Sequence, residues 1–210
     1  MNGKPLITIW SRPMEVLEYM RKQVSLKYAV FILALAALAT GGYQAGNANL
    51  FTNLPLGALI VVLIVLTFVG ALISWVIGAA LYTWIGKGMF GGHGTFSEML
   101  RIVPASSIPM IWMAPVNYWI IAAFGKKAFM EPPAGSFEIT YLPLAVFALV
   151  NFLTFALGIY SLVISCKGIG LIHGFSAWRG FGVVLVVIAA GFLIIAAIAV
   201  MLVLFFSFAF

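Results

Sequence analysis

Aspartate is missing from the 210 residues altogether, and acid of any kind is scarce: Glu15, Glu18, Glu98, Glu131 and Glu138 are the five carboxylates. A Ser-His-Asp triad is therefore excluded, and the scattered glutamates offer no paired-carboxylate site. One cysteine, Cys166, rules out an internal disulfide and a multi-cysteine zinc cage. His93 and His173 are the only histidines, and no His-x-x-x-His spacing joins them. Charge is short as well, at 8% of residues where a soluble domain carries about 25%. What fills the chain instead is apolar: 64% of its residues, with a mean hydropathy of +1.18.

Lipid hydrogen-bonds nothing, so a chain of this composition spans as helices or as a closed barrel. The apolar runs are long and unbroken, without the alternation a barrel needs, which predicts an all-α polytopic membrane protein. Five runs read as transmembrane helices, about 26–43, 54–84, 105–124, 141–166 and 181–210, making a membrane domain over 26–210. Residues 1–25 read as a cytoplasmic N-terminal segment. Pro13 suits the first turn of a helix there, and Met14, Val16, Leu17 and Met20 are interleaved with charges at helical spacing. The expectation is a short amphipathic helix lying on the membrane surface. The basic segment, apolar run and small residues before Gly41 also have the look of a secretory signal; the preceding region is long for one, and an uncleaved anchor is expected.

Between the runs, charge sets the orientation. Lys4, Arg12, Arg21, Lys22 and Lys27 precede the first run, Lys87 and Arg101 fall in the second loop, and Lys167 and Arg179 in the fourth. The stretch 41–53 has no charge, and only Lys126 and Lys127 stand in the loop that holds Glu131, Pro132, Pro133 and Glu138. Nine cations against two predict an N-terminus inside, a C-terminus outside and a multi-pass protein of the cell membrane. Charges at the ends of apolar runs, rather than along one stripe, argue against nucleic acid.

Local signals refine the loops. Thr95 and Glu98 have the spacing of a capping box, predicting a short helix that starts at Phe96. Pro104, Pro109 and Pro115 predict a kinked third span. Gly70, Ser74 and Gly78 recur every four residues on the second, a spacing that lets two helix backbones approach. Asn117, Asn151 and Thr154 lie inside spans three and four, where they suit either interhelical hydrogen bonds or a polar path through the bundle. No ionisable residue lies deep in a span, which weighs against a proton- or sodium-coupled carrier. The glycines at 86, 88, 91, 92 and 94 do not make a Walker loop: Lys87 lacks the following Ser/Thr, and no strand precedes it. The candidate polar residues of the inside loops are His93, Glu98, Arg101, His173 and Arg179. His93 and His173, with Glu98 and Cys166, are the candidates for a metal, but their spacing is not that of a metal site, and neither metal nor cofactor is expected.

The two inside loops echo each other. Gly91–Arg101 reads GGHGTFSEMLR and Gly170–Gly180 reads GLIHGFSAWRG, each with His-Gly, then Phe-Ser, then a basic residue. A duplicated pair of helical hairpins would produce such an echo. At the same residues the chain resembles the Yip-one domain, or Ypt-interacting-protein, family in its small prokaryotic form. The stretches that carry the resemblance are ITIWSRPMEVLEYM (Ile7–Met20), GGHGTFSEMLRIVPASSIP (Gly91–Pro109) and SCKGIGLIHGFSAWRG (Ser165–Gly180). With the five-span layout it covers nearly the whole chain. The resemblance implies the fold, the topology and a non-enzymatic membrane role. Eukaryotic members of that family contact Rab-type GTPases through a longer N-terminal domain and an Asp-Leu-Tyr-Gly-Pro motif; a chain without aspartate lacks the motif, so that contact is not carried over. The expected partners are membrane lipids, anionic ones favoured by the basic inside face, and a second copy or another membrane protein. The alternative to a scaffold is a passive transporter, channel or lipid pathway.

Overall fold

An apolar run in lipid must close its backbone hydrogen bonds on itself, and in the computed structural model each long run does so as a helix. The structure describes residues 5–44, 51, 53–130, 132 and 139–209. In chain order the helices are α1 Pro5–Thr8, α2 Pro13–Gln23, α3 Leu26–Gln44, α4 Leu56–Gly88, α5 Phe96–Ile102, α6 Ile108–Ile111, α7 Ala114–Phe124, α8 Leu144–His173 and α9 Ala177–Ala209. Two 3₁₀ turns, Val103–Ser107 and Gly125–Phe129, join them, and no strand occurs among the described residues. The chain is all-α and polytopic. Most of the uncharged stretch 41–53, together with Lys4, Glu131 and Glu138, lies outside the described residues.

Three helices, α4, α8 and α9, are long and apolar enough to cross a bilayer unaided. The stretches Phe96–Ile111 and Ala114–Phe129 qualify together as a fourth span, bent by 47°. Proline explains the break. Pro104, Pro109 and Pro115 each sit in the first turn of a new short segment, where a missing N–H costs nothing, and each prevents the preceding segment from continuing. The first expected span appears as α3, whose apolar part, Leu26–Gly41, is shorter than the others. Sixteen residues rise about 24 Å, less than the roughly 30 Å of a bilayer core. A Cβ placed on Gly41 would stand 2.9 Å from the Ile64 Cα, so α3 and α4 meet backbone to backbone there.

The long helices overrun the boundaries expected from charge and glycine: α4 continues past Trp84 to Gly88, α8 past Cys166 to His173, and α9 starts at Ala177, before Phe181. These overhangs stand at the end of the bundle that carries most of the cations. There they enclose the largest buried cluster with α2 and α5, including Val16, Leu17, Met20, Met99, Ile102, Ile164, Ile169 and Val183. The amphipathic helix is α2. Val16, Leu17 and Met20 are fully buried against protein, while Met14 stays exposed with Glu15, Glu18 and Lys22. Periodicity says that a face needs covering; α5 and α8 cover it before lipid can.

Candidate functional site

The best-defined polar arrangement lies where the two His-Gly loops meet. His173 is the last residue of α8, and Gly174 ends that helix in the left-handed conformation, φ 73°, that glycine adopts without steric cost. The loop Met89–Thr95 folds back over this corner: the Gly92 N–H donates to the Gly86 carbonyl at 2.9 Å and the His93 N–H to the His173 carbonyl at 3.3 Å.

The His173 ring is only 1% exposed. The Gly94 N–H donates to Nδ1 at 3.2 Å, and Nε2 lies 3.1 Å from the Tyr82 carbonyl of α4. An N–H donor at Nδ1 requires a lone pair there, so these partners assign the neutral tautomer with the proton on Nε2, donated to Tyr82. Phe175 stacks on the ring, centroids 5.3 Å apart and planes within 5°. Glycine makes the enclosure possible. A Cβ on Gly86 or Gly92 would overlap the imidazole, and one on Gly94 would overlap Ile172 Cγ2. Three glycines that make no phosphate loop instead let backbone wrap a histidine. The sequence signal for this was the glycine density opposite a His-Gly; which histidine was wrapped could not be read from it.

The echo between the loops stops at composition. His93 is exposed where His173 is buried. Thr95, before Phe96, caps α5, whereas in the other loop Ser176, after Phe175, accepts the Arg179 N–H at 3.4 Å. Among the described residues no three His, Cys, Asp or Glu side chains are grouped to hold a metal ion.

Beside this corner, the expected capping box closes. Thr95 Oγ1 accepts the Glu98 N–H at 3.3 Å, and Glu98 Oε2 accepts the Thr95 N–H at 3.2 Å. The remaining Glu98 oxygen takes Arg21 Nε at 3.1 Å, pinning α2 to α5. Arg101, one turn on, is half-buried with its Nε lacking a hydrogen-bond partner, and Arg179 is exposed.

The intramembrane polar residues part ways. Asn117, 1% exposed, donates from Nδ2 to the Ala39 carbonyl of α3 at 2.8 Å, and its neighbour Tyr118 donates to the Leu38 carbonyl at 2.8 Å. Two adjacent α7 side chains thereby clamp the end of α3. Asn151 faces outward and bonds the Phe147 carbonyl of its own helix at 2.8 Å; Thr154 is half-buried. On α4, Gly70 and Ser74 are exposed, Gly70 has no neighbour within reach of a Cβ, and Gly78 meets only Tyr82 of its own helix at 3.8 Å. Within the chain, close approach is served by other glycines: Gly168 against Ile102, Gly180 against the Cys166 carbonyl and Gly182 against Phe90.

The N-terminal stretch also gains partners that its sequence did not disclose. Trp10 stacks on Tyr160 of α8 at 5.2 Å, and the Tyr160 hydroxyl donates to the Ile9 carbonyl at 2.7 Å. Trp112, in the break between α6 and α7, donates to the Leu6 carbonyl at 3.3 Å. The stretch 6–10 is therefore fastened to the body of the protein. A comparison with protein families gives the same extent: the sequence model of the Yip1 domain matches residues 7–207. The chain belongs to the Yip1-domain family. The match starts within the fastened N-terminal stretch and runs through all the long helices, so the whole described fold is the Yip1 domain. It is a multi-pass membrane protein of a family not known as enzymatic. No curated protein and no solved structure matches the chain.

Proposed function

We propose that this Yip1-domain chain is a non-enzymatic protein of the cell membrane, N-terminus in the cytoplasm, that organises a second copy or another membrane protein by helix packing. The observation that carries the reading is the α4 face. Gly70, Ser74 and Gly78 form a small-residue stripe that no helix of the chain packs closely against, its Ser74–Gly78 end bordering a cleft shared with Leu33, Val103 and Ser107, and in lipid such stripes stabilise helix pairs through close backbone contact. The positive-inside count supports the orientation. A passive polar path has less support, because Asn117 is engaged with α3 and Asn151 with its own helix.

The test is cysteine cross-linking in membranes. A Ser74→Cys variant in a Cys166→Ala background should give a disulfide-linked dimer, or a defined larger adduct if the partner differs. Adding Gly70→Leu should suppress it. A Ser74→Cys chain that stays uncross-linked, or cross-links equally with the leucine present, would overturn the reading.

A further inference from the structure

Bilayer-facing helices usually present a convex surface, and most of α8 and α9 does. The exception lies beside their closest approach. Gly180 brings α9 against the Cys166 carbonyl of α8, with no room for a Cβ between them. Flanking that contact is a cleft of about 460 Å³, walled by Ile159, Val163 and Lys167 of α8 and by Trp178 and Phe181 of α9, among others.

Its chemistry narrows the occupant. The walls are almost wholly apolar, so water would find none of the two to four polar partners that hold it in a cavity. Hydrocarbon fills such a space without penalty, and left empty the lining forfeits dispersion contacts. One ionisable cation lines the cleft, Lys167, at the end nearer the basic pole of the bundle. The three described glutamates pair elsewhere: Glu15 with Arg12, Glu18 with Lys22 and Glu98 with Arg21. Half-buried Lys167 thus has no ion pair among the described residues, and Arg179 adds an exposed positive charge one residue beyond Trp178. Trp178 itself is 81% exposed, the setting of a ring at the headgroup level.

We propose that this cleft binds one anionic phospholipid, an acyl chain lying between Val163 and Phe181 and the phosphate resting on the Lys167 ammonium. The site does not depend on the α4 stripe or on the scaffold reading. A single anionic lipid on a monomer would establish it even if that reading failed.

The experiment is native mass spectrometry of the full chain in mild detergent, titrated with dioleoyl phosphatidylglycerol or dioleoyl phosphatidylcholine. The expected result is a one-to-one adduct with phosphatidylglycerol favoured about fivefold, the worth of one lysine beside an anionic headgroup. Lys167→Gln should bring the two lipids level, and Lys167→Arg should keep the preference. Val163→Trp, which fills the cleft, should remove both adducts, while Lys87→Gln, outside it, should change nothing. Equal binding of the two lipids by the natural chain would overturn the proposal. So would an unaltered preference in Lys167→Gln, an adduct surviving Val163→Trp, or displacement of lipid from this cleft by a second copy. Melting temperature of each variant, read alongside, separates lost binding from lost folding, and the arginine and Lys87 variants keep the test decisive if one chain fails to fold.

Discussion

Glycines serve two opposite ends in this bundle. At the basic pole, Gly86, Gly92 and Gly94 surround His173, and Gly168, Gly180 and Gly182 admit Ile102, the Cys166 carbonyl and Phe90; at each, a Cβ would collide with something. Along α4, Gly70 meets nothing, and Gly78 only its own helix at ordinary contact distance. The first set makes the fold and the second is left open. The difference teaches that small residues in a membrane helix mark a surface on which close approach is possible, while the neighbouring element decides whether it happens. It also separates two kinds of mutational cost, one in folding and one in association.

The comparison is most easily broken at Gly92. Gly92→Val should drive two methyl groups into the imidazole and destabilise the detergent-solubilised chain by about 3 kcal/mol, the upper range for overpacking, read as a fall in thermal midpoint by circular dichroism. A variant as stable as the natural chain would mean that the cradle is loose. His173→Leu comes next. It keeps an apolar plug but leaves the buried Gly94 N–H without its acceptor, a loss of about 2 kcal/mol, while faster hydrogen exchange at the 89–95 loop should localise the damage. Exchange unchanged there would remove the imidazole from the account of that loop.

A smaller effect is expected at the partly exposed pair that pins α2. Arg21→Ala should cost about 0.5–1 kcal/mol and raise proteolysis within residues 5–23, since α2 then holds by its apolar face alone. The smallest change is expected at Gly70→Leu, within about 0.5 kcal/mol for the isolated chain, with its effect confined to cross-linked assembly. A large loss of monomer stability there would place the stripe inside the fold and erase the contrast.

Much of this architecture was legible one residue at a time. The capping box of Thr95 and Glu98, the breaks at Pro104, Pro109 and Pro115, and the helical runs all depend on groups within a few positions of each other. The candidate site was half legible: the His-Gly loops and their glycines stood out, yet His93 and His173 looked equivalent, and only one is buried. Asn117 and Asn151 looked alike for the same reason. Their fates were set by whether α3 lay alongside, a matter of partners 78 residues away in one case and four in the other.

By itself, then, the sequence determined an all-helical membrane chain, its caps and its broken span, because hydropathy, proline and capping act within a turn or two of backbone. Tertiary structure alone decided that α2 is covered by protein, that Trp10 finds Tyr160 150 residues away, and that Gly94 reaches His173 across 79. In lipid the hydrophobic effect does not choose among apolar faces, so shape complementarity and a few hydrogen bonds between distant segments make that choice.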